Sequence, residues 1–435
     1  MTDEKRTILG ETLPDECRRD VAEHFQVPAM FQCGWTIFLS RSALSGGDHF
    51  LSAYIVDADT RIAYRLRGTY PVTGDGSDRS SWPVAAIAPE NGNRPSSPEE
   101  NDRVNLREQT EGKAVLTSYP ASMELELTHR CNLNCVMCYR YNTDLNADIS
   151  DHVYGLVKEA VFPRAREVTF SGRGEPILYS KWDEVAREVA THGFHRIVVT
   201  NATTLNEKRI RQLVEDAFEV HFSVDGATSR TYQYVRGADL STVAAHIREC
   251  VSALRSSGNR AIRTSVSLTP MLFNIREIPD MVDLIAEWGV DDLCIQKFMP
   301  LNPYATEHWA PEADAALMER MCEEAARRAE YRNVTFRVAG VVKHRASTSS
   351  PMKERIAASG HLRCSRPFWQ IFVYLNGAVT PCCYGAPCMG HLPYQSFDEI
   401  WNGETWCALR RALAEGNPPD YCRRCHMLHE AGKVA

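Results

Sequence analysis

From Met123 onward the sequence alternates strand-like runs with amphipathic helical segments, and this rhythm constrains the fold more than any other feature. The strand candidates are Met123–Thr128, Glu167–Ser171, Arg196–Thr200, Glu219–Val224, Ile262–Leu268 and Asp292–Phe298. Between them apolar residues recur at spacings of three and four, as in Val153, Leu156, Val157, Ala160 and Val161. Ile210, Leu213 and Val214 repeat the pattern, as do Ile278, Met281, Val282 and Ile285. Six βα units predict an α/β protein whose parallel sheet curls into a barrel or part of one. With fewer units than a complete eight-fold barrel, one side stays open to a large substrate.

Successive side chains on a strand face opposite ways, and on each of these strands one parity is polar. Glu124, Glu126 and Thr128 lie on the first, Thr169 and Ser171 on the second, and His221, Ser223 and Asp225 on the fourth. Arg263, Ser265 and Ser267 continue the series, followed by Cys294 and Gln296. The other parity is aliphatic and suits packing beneath helices. The alternation predicts a polar lumen, with the reactive site at the C-terminal strand ends: Thr128, Ser171, Thr200, Ser223, Asp225, Ser267 and Gln296.

The chain has 15 cysteines among 435 residues. In a reducing compartment clustered thiols are metal ligands or catalytic groups before they are disulfides. Cys17, Cys33, Cys250, Cys294 and Cys322 are scattered, as small buried hydrophobes are. Cys131, Cys135 and Cys138 form one cluster, directly after the first strand. Three thiolates on one loop can hold three irons of a four-iron cluster and leave the fourth open. A zinc site is the competing reading, but it wants a fourth ligand, for which His129 is the nearby candidate.

Cys131-Asn-Leu-Asn-Cys135-Val-Met-Cys138 resembles the CxxxCxxC signature of the radical S-adenosylmethionine (SAM) superfamily, and the resemblance extends over about residues 121–300. It implies a partial (β/α)6 barrel whose open iron binds the amino and carboxylate groups of SAM. One electron then cleaves the sulfonium and yields a 5′-deoxyadenosyl radical that abstracts hydrogen from substrate; the protein supplies orientation and excludes solvent. Met137 stands where a hydrophobic residue flanks the adenine. Ser171-Gly172-Arg173-Gly174-Glu175-Pro176 looks like the GGEP motif that meets the cofactor's amino group, with Arg173 in place of its first glycine. Thr200, Asn201, Ser223 and Asp225 lie where the family contacts ribose and carboxylate. Arg236 resembles an arginine that grips the methionyl carboxylate, as a guanidinium can do bidentately.

The last quarter is the second cysteine-rich region. Cys364, Gly377 and Cys382 match the CX9-15GX4C opening of the SPASM/twitch extension, and Cys422-Arg-Arg-Cys425 closes the set. The resemblance implies a fully ligated auxiliary [4Fe–4S] cluster on Cys364, Cys382, Cys422 and Cys425, in the single-cluster twitch form. A four-cysteine zinc site uses the same ligands. Cys383, Cys388 and Cys407 stay unassigned. Phe368–Leu375, the turn Asn376-Gly377 and Ala378–Pro381 read as a hairpin, and Phe397–Leu413 as a helix.

Four segments result. Residues 1–115 read as an α+β accessory domain of unknown role, with helix Asp15–Phe25, strands Trp35–Ser40, Phe50–Val56 and Arg61–Leu66, and a polar linker Gly74–Asn105. The radical SAM core follows at 121–310, a connecting helical segment at 311–360, and the twitch/SPASM-like domain at 361–435. A net charge of −7 gives no electrostatic reason for a nucleic-acid partner. No apolar run of membrane-spanning length or signal core is present, so no membrane partner and a cytoplasmic location are expected.

The expected activity is a radical SAM oxidation or epimerisation of a small polar substrate such as a sugar, aminocyclitol or nucleoside, fed by an external one-electron reductant of flavodoxin or ferredoxin type. A peptide- or protein-modifying enzyme is the alternative, and an electron-transfer iron–sulfur protein the third reading. Epimerisation needs a hydrogen donor, for which Cys294 is the candidate thiol.

Overall fold

The computed structural model describes residues 94–138, 140, 144–259, 262–296, 298, 310, 314–338, 364–383, 386–423 and 425, with the backbone of strands at 48–51, 54–56, 63–65, 70–73 and 341–344. The chain divides into two compact units, Met1–Ala86 and Ile87–Ala435. In the first, β1 (Asp48–Leu51) pairs antiparallel with β4 (Tyr70–Thr73), and β2 (Tyr54–Val56) with β3 (Ala63–Arg65). The expected helix Asp15–Phe25, the strand Trp35–Ser40, Cys17 and Cys33 lie outside the described residues.

The second unit is built on an eleven-stranded sheet. Its central strands are β5 (Ser122–Leu125), β6 (Glu167–Phe170), β7 (His195–Thr200), β8 (Phe218–Ser223), β9 (Thr264–Leu268) and β10 (Asp292–Ile295), parallel and adjacent in chain order. These are the six strands read from the sequence. Helices Asp151–Ala160, Trp182–Ala190, Glu207–Glu215, Leu240–Ser256 and Ile278–Trp288 lie between them in the chain. With β11 (Thr335–Val338), β12 (Val341–His344), β13 (Gln370–Val373), β14 (Ala378–Thr380) and β15 (Gly390–His391), strand order among the described residues runs β12-β11-β10-β9-β8-β7-β6-β5-β13-β14-β15, from one edge to the other.

Alternation along the strands sets the two faces. Phe218, Val220 and Phe222 are fully buried under the helices, whereas Glu219, His221 and Ser223 point the other way and are partly accessible. Val168 and Phe170 against Glu167 and Thr169 repeat the pattern. On the apolar side Phe170 and Phe218 pack on Trp182, with ring centroids 5.9 and 5.6 Å apart. Such aromatic burial supplies much of the cohesion of a layered α/β core.

Three features differ from the sequence reading. Segment 311–360, expected as a helical connection, holds the helix Ala315–Arg332 and also β11 (Thr335–Val338), parallel to β10, and β12 (Val341–His344). The polar linker contains the helix Pro98–Thr110, capped by Ser97 and started by Pro98. Its buried face is Asn101, Asn105, Glu108 and Gln109, so it has no apolar period to read. These side chains bind loop backbone instead: Glu108 accepts from Thr117 and Ser118, and Asn105 donates to the Phe368 carbonyl at 2.6 Å. The third difference is a break at Asn402-Gly403, which splits the C-terminal helix into Phe397–Trp401 and Glu404–Ala414. A Cβ at Gly403 would meet the Glu399 carbonyl at 2.4 Å.

Arg410, on the second of those helices, is wholly buried. It donates to the carbonyls of Pro367, Ala114 and Trp401 and lies over the Trp401 ring. Arg410→Met would remove the donor to the Ala114 and Trp401 carbonyls and leave Pro367 with Trp406 Nε1 alone. It is expected to cost about 3 kcal/mol or more, read as a lower urea midpoint at unchanged slope.

Candidate active site

β5 ends at Leu125 and the chain runs through Glu126 and Thr128 into the first cysteine loop. Arg140 stitches that loop: its guanidinium donates to the carbonyls of His129, Cys131 and Leu133 at 3.1, 3.2 and 2.7 Å. The Val136 N–H donates to the Val235 carbonyl and closes the loop against the helix Ser229–Arg236. Burial pushes the Cys135 thiol up to about 11 and raises Cys131 as well. Both thiols are therefore neutral without metal, and iron loading must release their protons.

The SGRGEP segment lies directly against this loop. A Cβ on Gly174 would stand 2.1 Å from the Thr128 carbonyl oxygen and 2.8 Å from that of Arg130. Gly172 has φ +136°, and a Cβ there would fall 2.6 Å from Glu126 Cγ. Glu175 is buried; its N–H donates to the Arg130 carbonyl and its Oε2 accepts from Asn201 N at 2.8 Å. Its other oxygen, Oε1, is buried without a hydrogen-bond partner among the described residues. Burial pushes this carboxyl up to about 7, against the Asn201 and Thr200 hydrogen bonds that favour its charge. A buried carboxylate oxygen with no donor fits a ligand that brings an ammonium group.

The other expected cofactor residues gather at the same end. Asn201 Nδ2 contacts Asn132 Oδ1 at 3.1 Å and Cys131 Sγ at 3.8 Å. Thr200 Oγ1 accepts from Ala202 N, and Ser223 sits at the end of β8. Met137 packs with Val136 and Phe273 around buried Val235, Met271 and Phe298. Arg236 is paired inside the protein: its Nε and Nη2 meet Asp225 Oδ2 at 2.6 and 2.5 Å, and Asp225 Oδ1 accepts from Thr269 N. Cys294 is buried on β10 and accepts from Gln296 Nε2 at 3.5 Å.

Glu126 is a junction that nothing but its polar parity singles out in the sequence. Its Oε1 accepts from Arg173 N at 2.8 Å. Its Oε2 lies 3.3 Å from His129 Nε2 and accepts from Leu375 N at 3.4 Å. One buried carboxylate thus touches the cysteine loop, the glycine-rich segment and the C-terminal hairpin. Burial works against its charge, yet His129 and Arg173 hold the carboxyl below its ordinary range.

The hairpin is part of the main sheet. β13 (Gln370–Val373) pairs parallel with β5, with Gln370 opposite Ser122 and Val373 opposite Leu125. It turns at Asn376-Gly377, where φ is +87°, into β14 (Ala378–Thr380) and then pairs with β15 (Gly390–His391). Beside it, Cys364, Cys382, Cys422 and Cys425 lie within one another's electrostatic reach. Burial pushes Cys364 up to about 12, and Cys382 and Cys425 add to the shift. Cys383 lies within electrostatic reach of Glu124, Arg366 and Cys382. Cys388 and Cys407 donate to the carbonyls of Gly390 and Asn402. Among the described residues no three Cys, His, Asp or Glu side chains stand closely enough to hold a single ion. A four-iron cluster asks for less convergence, since each thiolate binds its own iron.

Residues 125–285 match the Radical SAM superfamily, and residues 364–426 match SPASM, an iron–sulfur cluster-binding domain. The chain thus carries a Radical SAM domain and a SPASM domain, and these imply SAM and [4Fe–4S] clusters as cofactors. Among curated relatives, the tungsten-containing aldehyde ferredoxin oxidoreductase cofactor-modifying protein of Pyrococcus furiosus is 27% identical over 184 residues, 41% of this chain. The chain spans about half of that relative's length, 52%. The PqqA peptide cyclase of Streptomyces rochei is 25% identical over 326 residues, covering 71% of this chain and 82% of the cyclase. Among solved structures, Streptococcus suis SuiB bound to precursor peptide SuiA superposes with a TM-score of 0.54 at 14% identity, over 71% of this chain and 70% of SuiB. Among the described residues no helix is long and apolar enough to cross a membrane.

Proposed function

We propose that this radical SAM enzyme modifies a peptide, with its catalytic cluster on Cys131, Cys135 and Cys138 and one auxiliary [4Fe–4S] cluster on Cys364, Cys382, Cys422 and Cys425. The open, buried Oε1 of Glu175 beside the first cysteine loop is the observation that carries the cofactor assignment. The peptide assignment rests on the PqqA peptide cyclase, matched over most of its length, and on the precursor peptide held by a protein of the same fold. A small sugar-like substrate, first in the sequence reading, gains no support from these relatives, and the peptide takes its place.

When bound, the catalytic cluster and SAM supply a 5′-deoxyadenosyl radical that takes a hydrogen atom from substrate. Glu175 accepts the cofactor's ammonium at Oε1, which keeps the carboxyl ionised despite its burial. Gly172 and Gly174 let the backbone approach. Met137 offers the adenine an apolar wall, while Thr200, Asn201 and Ser223 offer hydroxyl and amide groups to the ribose. Asp225 holds Arg236 in place, so that Nη1 is left for the methionyl carboxylate. Cys294 stands ready on the lumen face as a hydrogen donor if the reaction is redox-neutral. An external one-electron reductant completes the system.

Anaerobically reconstituted protein, given SAM and synthetic peptides encoded by short reading frames beside its gene, is expected to change the mass of one peptide in step with 5′-deoxyadenosine formation. Turnover that answers to a sugar or aminocyclitol and to no peptide would overturn the assignment.

A further inference from the structure

A hydrogen-bonded chain of side chains links the auxiliary cysteines to the cofactor segment across the junction of β13, β5 and β6. Arg366 follows Cys364 by two residues, and its backbone N–H donates to the Cys364 thiol. Arg366 Nη1 donates to Gln370 Oε1 at 2.9 Å. Gln370 Nε2 donates to Glu124 Oε1, also at 2.9 Å. The second oxygen of Glu124 accepts from Ser171 Oγ at 3.2 Å, and Ser171 immediately precedes Gly172. The chain is short because β13 and β6 flank β5 on either side, which brings Gln370, Glu124 and Ser171 onto neighbouring strands.

We propose that Glu124 is a positioning residue which, through Gln370 and Arg366 on one side and Ser171 on the other, couples occupancy of the SAM site to the auxiliary cluster's reduction potential. A cluster's potential depends on nearby charge and on hydrogen bonds around its sulfurs. Arg366 places a positive charge two residues from Cys364, one of the four proposed ligands. Gln370 is almost fully buried and holds Arg366 in one orientation. Glu124 fixes the Gln370 amide in turn, because its carboxylate can only accept. A shift of Ser171 when the cofactor segment fills therefore reaches Arg366 through three successive hydrogen bonds. A contiguous network of this kind is a physical route for coupling, and it must be tested as coupling.

The inference rests on the cofactor assignment above, and the experiment separates the two. The probe is S-adenosylhomocysteine, which lacks the cleavable sulfonium, added to the anaerobically reconstituted full chain. EPR-monitored redox titration follows the auxiliary cluster, whose spectrum is identified from a variant without Cys131, Cys135 and Cys138. In the wild type the probe is expected to shift both the catalytic cluster's EPR signal and the auxiliary midpoint potential. In Gln370→Leu the catalytic signal still responds but the auxiliary potential no longer moves. Glu124→Gln, whose amide oxygen still accepts, is expected to retain part of the coupling, which guards against a Gln370 variant that loses its fold. A catalytic response with an unmoved auxiliary potential in the wild type would sink the coupling alone. An equal shift in Gln370→Leu would do the same. No catalytic response in the wild type would sink the cofactor assignment, and the coupling with it.

Discussion

Replacing Cys131, Cys135 and Cys138 together with alanine is expected to cut the iron of reconstituted protein from about eight to about four atoms per chain and to abolish 5′-deoxyadenosine formation. The loss should be confined to one site because each set of thiols has its own supports besides the shared Glu126. The first loop is tied down by Arg140 and by the Val136 contact with the helix Ser229–Arg236. The second set surrounds the hairpin, held by β5 pairing on one side and by the Arg410 contacts with the Pro367 and Ala114 carbonyls on the other. Among the described residues the thiols' hydrogen bonds are local, from Asn201 and the Leu133 backbone to Cys131, so removing the three should leave the fold and the far-UV spectrum unchanged. Iron that stays near eight would place the ligands elsewhere. About four in the wild type, with zinc bound, would make the C-terminal cysteines structural and remove the partner that Arg366 is proposed to tune.

Much of this site was legible because the signals involved are local. A period of two along each strand sorted Glu219, His221 and Ser223 from Phe218, Val220 and Phe222. The resemblance of Cys364, Gly377 and Cys382 to the SPASM/twitch opening grouped them with Cys422 and Cys425, and in the fold these four cysteines lie within electrostatic reach of one another. What escaped depends on contacts between distant parts of the chain. Nothing around Gln370–Val373 says that it pairs with Ser122–Leu125, because a hairpin signal specifies only its own turn and register. Helix Pro98–Thr110 hid behind its polar face, which is buried against loop carbonyls and amides rather than against a core. Arg236 was read from its motif as a grip for a carboxylate. Asp225, eleven residues earlier in the chain, already occupies two of its nitrogens. Glu126 illustrates the same limit: alternation put it on the right face, but its contacts with Arg173 and Leu375 exist only once three segments have met.

Gly174→Ala should be nearly as damaging as loss of the cysteines while removing no ligand at all. The new Cβ would fall 2.1 Å from the Thr128 oxygen, and that oxygen belongs to backbone fixed by the bridge between Thr128 and Asp148. A flexible side chain could swing aside; a backbone carbonyl cannot without moving the strand end that leads to Cys131. The segment must instead lift by about an ångström, carrying Glu175 with it, and displacements of that size can cost about a hundredfold in rate. Lifting it also breaks the Glu175 N–H bond to the Arg130 carbonyl and withdraws Oε1 from the cofactor. The expected result is iron content unchanged at about eight atoms per chain, a 5′-deoxyadenosine rate down about a hundredfold or more, and an EPR signal of the catalytic cluster that no longer responds to SAM. Losing iron as well would mean that Gly174 supports the cysteine loop itself, and the segment would then be part of the cluster's seat rather than of the cofactor's.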